Sequence, residues 1–61
     1  MKYKGVFNYH NEITELYRHA NNEAQAKSFF SLLLAEKYDT TTSKISQYFN
    51  GKADNYSIKK A

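Results

Sequence analysis

The sequence predicts a small α+β domain of ββααβ order. It is a three-stranded, mainly antiparallel sheet with one main helix and one short helix on one face. Three observations carry this. Residues 3–20 hold two aromatic and β-branched runs around a short polar turn, which is the pattern of a hairpin. Residues 22–38 repeat apolar side chains at helical spacing behind an asparagine suited to capping. Residues 40–51 hold a shorter helical pattern that opens on threonines and stops at a glycine.

The first strand is "YKGVFNY" and the second "ITELYRHA", separated by "HNE". An Asn11-Glu12 turn sets Phe7 opposite Leu16 and Tyr3 opposite Ala20, and leaves Val6, Ile13 and Tyr17 on the other face. A slip of one residue would exchange the two faces, and the turn lacks the Asn-Gly pair that fixes register most firmly.

In the main helix Asn22 is the N-cap, Gln25 stands at the position for a reciprocal bond, and Glu23 suits the positive end of the helix dipole. Ala26, Phe29, Phe30, Leu33, Leu34 and Tyr38 form one broad apolar arc, with Lys27, Ser28, Ser31 and Glu36 outside it. Leu32 lies off the arc and is expected to be covered by another element. Ile45, Tyr48 and Phe49 carry the short helix, which Asn50-Gly51 ends. The closing "NYSIKKA" alternates Tyr56 and Ile58 with polar residues and reads as a third strand joined to the hairpin.

Sixty-one residues make one domain with a limited core. No cysteine is present, so neither a disulfide nor a thiolate metal site can reinforce it. The rest of its stability must come from regular structure, a partner or a second copy. The start, "MKYKGVF", has no long apolar stretch, and no run approaches membrane-spanning length. A cytoplasmic protein without a membrane partner is expected.

Candidate chemistry is sparse. His10 and His19 match no common metal-ligand spacing, and Glu12 and Glu15 beside them are read as solvated charges. There is no glycine-rich phosphate loop and no nucleophile motif. Neither a catalytic site nor a cofactor is expected, and a domain of this size has little room to enclose a substrate. The formal charge of +3 allows contact with nucleic acid, yet eight of the nine basic residues are lysine and Arg18 is the only arginine. Specific base readout favours the arginine fork. A weaker cue is "KGVF" on an aromatic strand, since RNA-recognition sheets combine a basic residue, a glycine and stacking aromatics. Tyr3, Phe7, Tyr9 and Tyr17 are more simply core or cross-strand residues.

One stretch has a familiar outline. Leu34, Ala35, Glu36 and Lys37, then Ile45 and Ser46, then Asn50, Gly51 and Lys52 stand at the spacing of a helix-turn-helix. Residues 34–52 thereby resemble the motif of the Cro and C1 repressor family. The resemblance implies that Thr41 caps a recognition helix and that Thr42, Ser43, Lys44 and Gln47, with Lys52 after the stop, face nucleic acid. It covers under a third of the chain. The family usually has glycine where Asp39 stands and an apolar residue where Thr40 stands, and it surrounds the motif with further helices. A capped turn between two helices with a glycine stop generates most of the match by itself.

Two function classes follow. The first is a small binding protein that docks through the sheet and modulates or inhibits a larger protein. Its interface residues are Val6, Ile13 and Tyr17, with Tyr48 on the second helix as a further candidate, and a second copy of the chain is an alternative occupant. The composition resembles that of bacteriophage accessory proteins, among them inhibitors of host enzymes, which would place the chain in a host cytoplasm. The second class is a nucleic-acid-binding regulator that uses residues 34–52. The first ranks ahead because the motif lacks its usual scaffold and the chain has one arginine.

Overall fold

The computed structural model describes residues 1–61, and the chain runs β1 (Lys2–Tyr9), β2 (Glu12–His19), α1 (Glu23–Lys37), α2 (Thr42–Tyr48), β3 (Tyr56–Lys60). The fold is the expected α+β one. The three strands form one open antiparallel sheet in the order β2-β1-β3. α1 lies across all three strands and α2 packs on α1. No helix is long and apolar enough to cross a membrane.

The hairpin register differs from the expected one. Phe7 stands opposite Thr14 and Tyr3 opposite Arg18, with Tyr9 and Glu12 closing the ladder. His10 and Asn11 are the turn residues, at φ of 50° and 68°. Two consecutive positive φ values are the signature of the type I′ hairpin turn, whose twist matches the strands. Asparagine and histidine enter this region more readily than most residues. An Asn11-Glu12 turn would have asked it of a glutamate. The correction moves the pairing by an even step, so each side chain keeps its face.

On the helix side of β1 lie Tyr3, Gly5 and Phe7, all buried. Gly5 is there because of the helix above it. A Cβ at this position would sit 2.6 Å from Phe7 Cε2 and 2.8 Å from the Phe30 ring. The missing side chain lets Phe30 reach the sheet, where its ring meets Phe7 edge-on at 5.6 Å between centroids. Phe49, at the end of α2, meets Phe7 from another side at 5.1 Å. Phe7, Phe30, Leu34, Ile45 and Phe49 are the largest fully buried side chains. Three elements thus converge on one aromatic centre.

The caps form as the residue types dictate. Asn22 Oδ1 accepts from the Gln25 amide at 2.8 Å, and Gln25 Oε1 accepts in return from the Asn21 amide at 2.7 Å. Thr41 Oγ1 accepts from the Lys44 amide at 3.2 Å and opens α2. Asp39 takes the left-handed conformation, φ 51°, in the turn between the helices. Gly51 takes φ 86° after α2, as a helix-ending glycine does.

The buried arc of α1 is rotated from the expected one. Ala26, Phe30, Ser31, Leu34 and Ala35 are buried, whereas Leu33 is 37 % and Leu32 58 % exposed. The arc must serve two neighbours at once. The sheet takes Phe30 against Phe7, and α2 packs on the same helix, so the buried set spans two adjacent rows, Ala26, Phe30 and Leu34 with Ser31 and Ala35. Ser31 Oγ is satisfied by donating to the Lys27 carbonyl at 2.9 Å. Leu32, expected to be covered, is not.

A candidate protein-binding face

Because the helices cover one face of the sheet, the other is open. Alternation along the strands assigns Lys2, Lys4, Val6 and Asn8 of β1 to this face. The pairing adds Ile13, Glu15, Tyr17 and His19 of β2, and Ser57 and Lys59 of β3. Ile13 is 67 % and Tyr17 51 % exposed, and Val6 is half-buried between its neighbours. Large apolar side chains held this far out have no core to serve.

Tyr17 is the centre of the lysine-rich end. Lys2 Nζ lies 5.4 Å and Lys4 Nζ 6.0 Å from its ring centroid, Lys4 from directly across the ladder and Lys2 from the diagonal position. Among the strand residues of the face Lys2, Lys4 and Lys59 stand against one carboxylate, Glu15, and Asp54 adds a second at the far end. At the opposite, turn-proximal end, Val6 and Ile13 border a shallow hollow of about 240 Å³ with Asn8, Asp54, Asn55 and Ser57. The face therefore runs from a cationic, aromatic end to an apolar and amide-lined one.

Arg18 is not part of it. Its guanidinium stacks over Phe29 on the helix side, 4.4 Å from the ring centroid. Tyr3, Phe7 and Tyr9 also turn toward the helices, the first two buried and the third half-buried. The aromatics of "YKGVFNY" therefore form core, and the sheet presents no row of rings for stacked bases.

Of the expected interface residues, Val6, Ile13 and Tyr17 come together and Tyr48 does not. Tyr48 sits on the helix side of the hairpin turn, where its hydroxyl accepts from the His10 amide at 3.2 Å. Its ring packs 4.8 Å from Tyr9 and 5.0 Å from His10, centroid to centroid. Beside it Tyr38 packs on Tyr9 at 4.5 Å. This cluster binds the turn to both helices.

The other expected contact set lies on α2. Thr42, Ser43, Lys44 and Gln47 are exposed around the buried Ile45, and Lys52 is exposed beyond the helix. α2 is seven residues long. Ala24, Lys27, Ser28, Ser31, Leu32, Thr42 and Ser46 border an open groove of about 450 Å³ between the helices.

No group of three or more His, Asp or Glu side chains gathers where a metal ion could be held. Strand alternation grouped the residues of this face, but that it is the open one follows from the helices covering the Tyr3, Gly5 and Phe7 side. The lysine flanks of Tyr17 depend on the true register, which sets Lys4 directly opposite it. Comparison with protein-family models, curated proteins and solved structures finds no match for this chain.

Proposed function

We propose that this chain is a small non-enzymatic binding protein that docks its open sheet face on a larger protein and thereby modulates or inhibits it. One observation carries the reading: Ile13 and Tyr17 are held outward on a regular sheet, with exposures of 67 % and 51 %, in a setting of lysines. Contiguous apolar surface rimmed by polar residues is characteristic of interaction sites. A tyrosine with two cations beside its ring offers an apolar anchor with charge around it. The complementary partner surface is acidic at the Tyr17 end and apolar at the Ile13 end. The composition supports a bacteriophage accessory protein acting in a host cytoplasm.

The test is capture of partners from a lysate of the source cell on the immobilised chain. The parent should retain a protein whose binding weakens with salt, because the lysine contacts are solvent-exposed. Tyr17→Ala and Lys4→Glu should both lose it, while Leu32→Ala, on the helix side, keeps it. Equal capture by parent and Tyr17→Ala rejects this face as the interface.

A second reading, a nucleic-acid-binding regulator, rests on the exposed polar side of α2, with Thr42, Ser43, Lys44 and Gln47 turned outward around Ile45. It predicts binding to duplex DNA that falls steeply as salt rises and is abolished in Lys44→Glu. Absence of a specific duplex site bound near the ~10⁻⁸ M level removes it.

A further inference from the structure

β2 is an edge strand, and on the open face its free edge is guarded by one charge alone, Glu15. Met1 and Ala20 exchange both backbone bonds, at 2.8 and 3.1 Å. Antiparallel alternation then directs the amides and carbonyls of the even-numbered β2 residues toward β1, and those of Ile13, Glu15, Tyr17 and His19 away from the sheet. Soluble proteins usually blunt such an edge with lysine, proline, a bulge or a covering loop. "EITELYRH" has neither lysine nor proline, pairs with β1 without a bulge, and has its one basic extended side chain, Arg18, folded over Phe29. The opposite edge, β3, is shorter and ends in Lys59 and Lys60.

We propose that two copies of this chain pair through β2 in antiparallel fashion, about a two-fold axis at Leu16, to give one continuous six-stranded sheet. The register follows from the side chains. An axis at Glu15 would set that carboxylate against its own copy. An axis at Leu16 engages residues 13–19 on both strands and brings no like charges face to face. In this register Glu15 lies opposite Tyr17 of the second copy, whose ring is flanked by Lys2 and Lys4. Each carboxylate thus meets a cationic site, twice by symmetry. Ile13 faces His19, Thr14 faces Arg18, and the half-buried Leu16 meets its own copy on the helix side, closing the two cores against each other. Every outward amide and carbonyl of Ile13, Glu15, Tyr17 and His19 gains a partner. The two open faces become one surface, in which Glu15 of each copy shares the cationic site at Tyr17 with whatever docks there, while the Val6 and Ile13 ends stay free.

The experiment uses the purified full chain without any partner protein, so its outcome is independent of the docking reading. Sedimentation equilibrium from micromolar to millimolar concentration should give the mass of two chains, with a melting temperature that rises with concentration. Glu15→Pro removes one outward amide and no bond to β1, a substitution that edge strands accept. It should weaken association about tenfold or more with an unchanged circular dichroism spectrum. If that variant fails to fold, cysteine placement decides. Leu16→Cys on the axis should form a disulfide with its own copy under air, since opposed non-hydrogen-bonded residues lie about 4.5 Å apart between Cα atoms. Thr14→Cys should not, because it faces Arg18. A monomer across the whole range, or a dimer in which Leu16→Cys does not cross-link, overturns the proposal. The monomer outcome leaves the edge to a strand from another protein.

Discussion

The Thr14 and Tyr38 hydroxyls lie 2.9 Å apart and tie β2 to the C-terminal end of α1. They belong to a closed circuit. Lys37 Nζ donates to Thr14 Oγ1 at 3.2 Å, and Tyr38 Oη donates to Glu12 Oε1 at 3.1 Å. That leaves the Thr14 proton for Tyr38, and Lys37 and Glu12 complete the loop as an ion pair at 3.4 Å. Thr14 is only 7 % exposed, so its hydroxyl depends on this circuit for satisfaction. Tyr38→Phe should therefore cost about 0.5–1.5 kcal/mol. A double-mutant cycle with Thr14→Val in urea denaturation should show coupling of that order. Additive single effects would mean the hydroxyls do not bond in solution.

Gly5→Ala should be destabilising far beyond a usual strand substitution. The added methyl meets two aromatic rings well inside contact distance, so Phe7 and Phe30 must move together. A loss of about 1–3 kcal/mol is expected. Phe30→Leu in the same chain should recover part of it, because the leucine vacates the space above Gly5. Thermal melting of the three variants reads this directly.

Phe30 and Leu33 are neighbours on the apolar pattern of α1, but they differ in what they touch. Phe30 is fully buried and Leu33 is 37 % exposed. Phe30→Ala should cost about 3–5 kcal/mol. That is comparable with the whole stability of a domain this small, roughly 0.05–0.15 kcal/mol per residue. Leu33→Ala should cost about 1 kcal/mol or less. Chemical denaturation of each checks the order, and equal losses would contradict the rotation of the helix.

Asp39 holds φ of 51° without the freedom of glycine. Asp39→Gly should raise stability by about 0.5–1 kcal/mol by removing the left-handed penalty. Asp39→Ala should lower it, since alanine keeps the Cβ. Melting temperatures on either side of the parent would confirm the turn geometry.

At concentrations where the chain is monomeric, Tyr17→Ala should leave the melting temperature almost unchanged, because the ring is half exposed and packs on no core residue. A fall comparable to that of Phe30→Ala would make Tyr17 structural.

The sequence by itself determined the fold class, the order of the five elements, the cap at Asn22, a second cap within residues 40–43 and the partition of strand side chains between two faces. These are local or periodic properties. A cap needs only its own turn, and strand alternation survives any even shift of register. Tertiary structure decided the register, the buried arc of α1 and the surroundings of the open face. The register turned on whether His10-Asn11 or Asn11-Glu12 takes two positive φ values, and apolar pattern is the same in both cases. The arc turned on the packing of α1 between the sheet and α2, in which Ser31 is buried and Leu32 and Leu33 stay outside. The spacing of one helix does not encode where a second helix will lie. The site shows the same division. Val6, Ile13 and Tyr17 could be grouped from alternation, but the lysine flanks of Tyr17, the turning of Arg18 onto Phe29 and the capture of Tyr48 by the hairpin turn depend on how strands and helices meet across long stretches of chain.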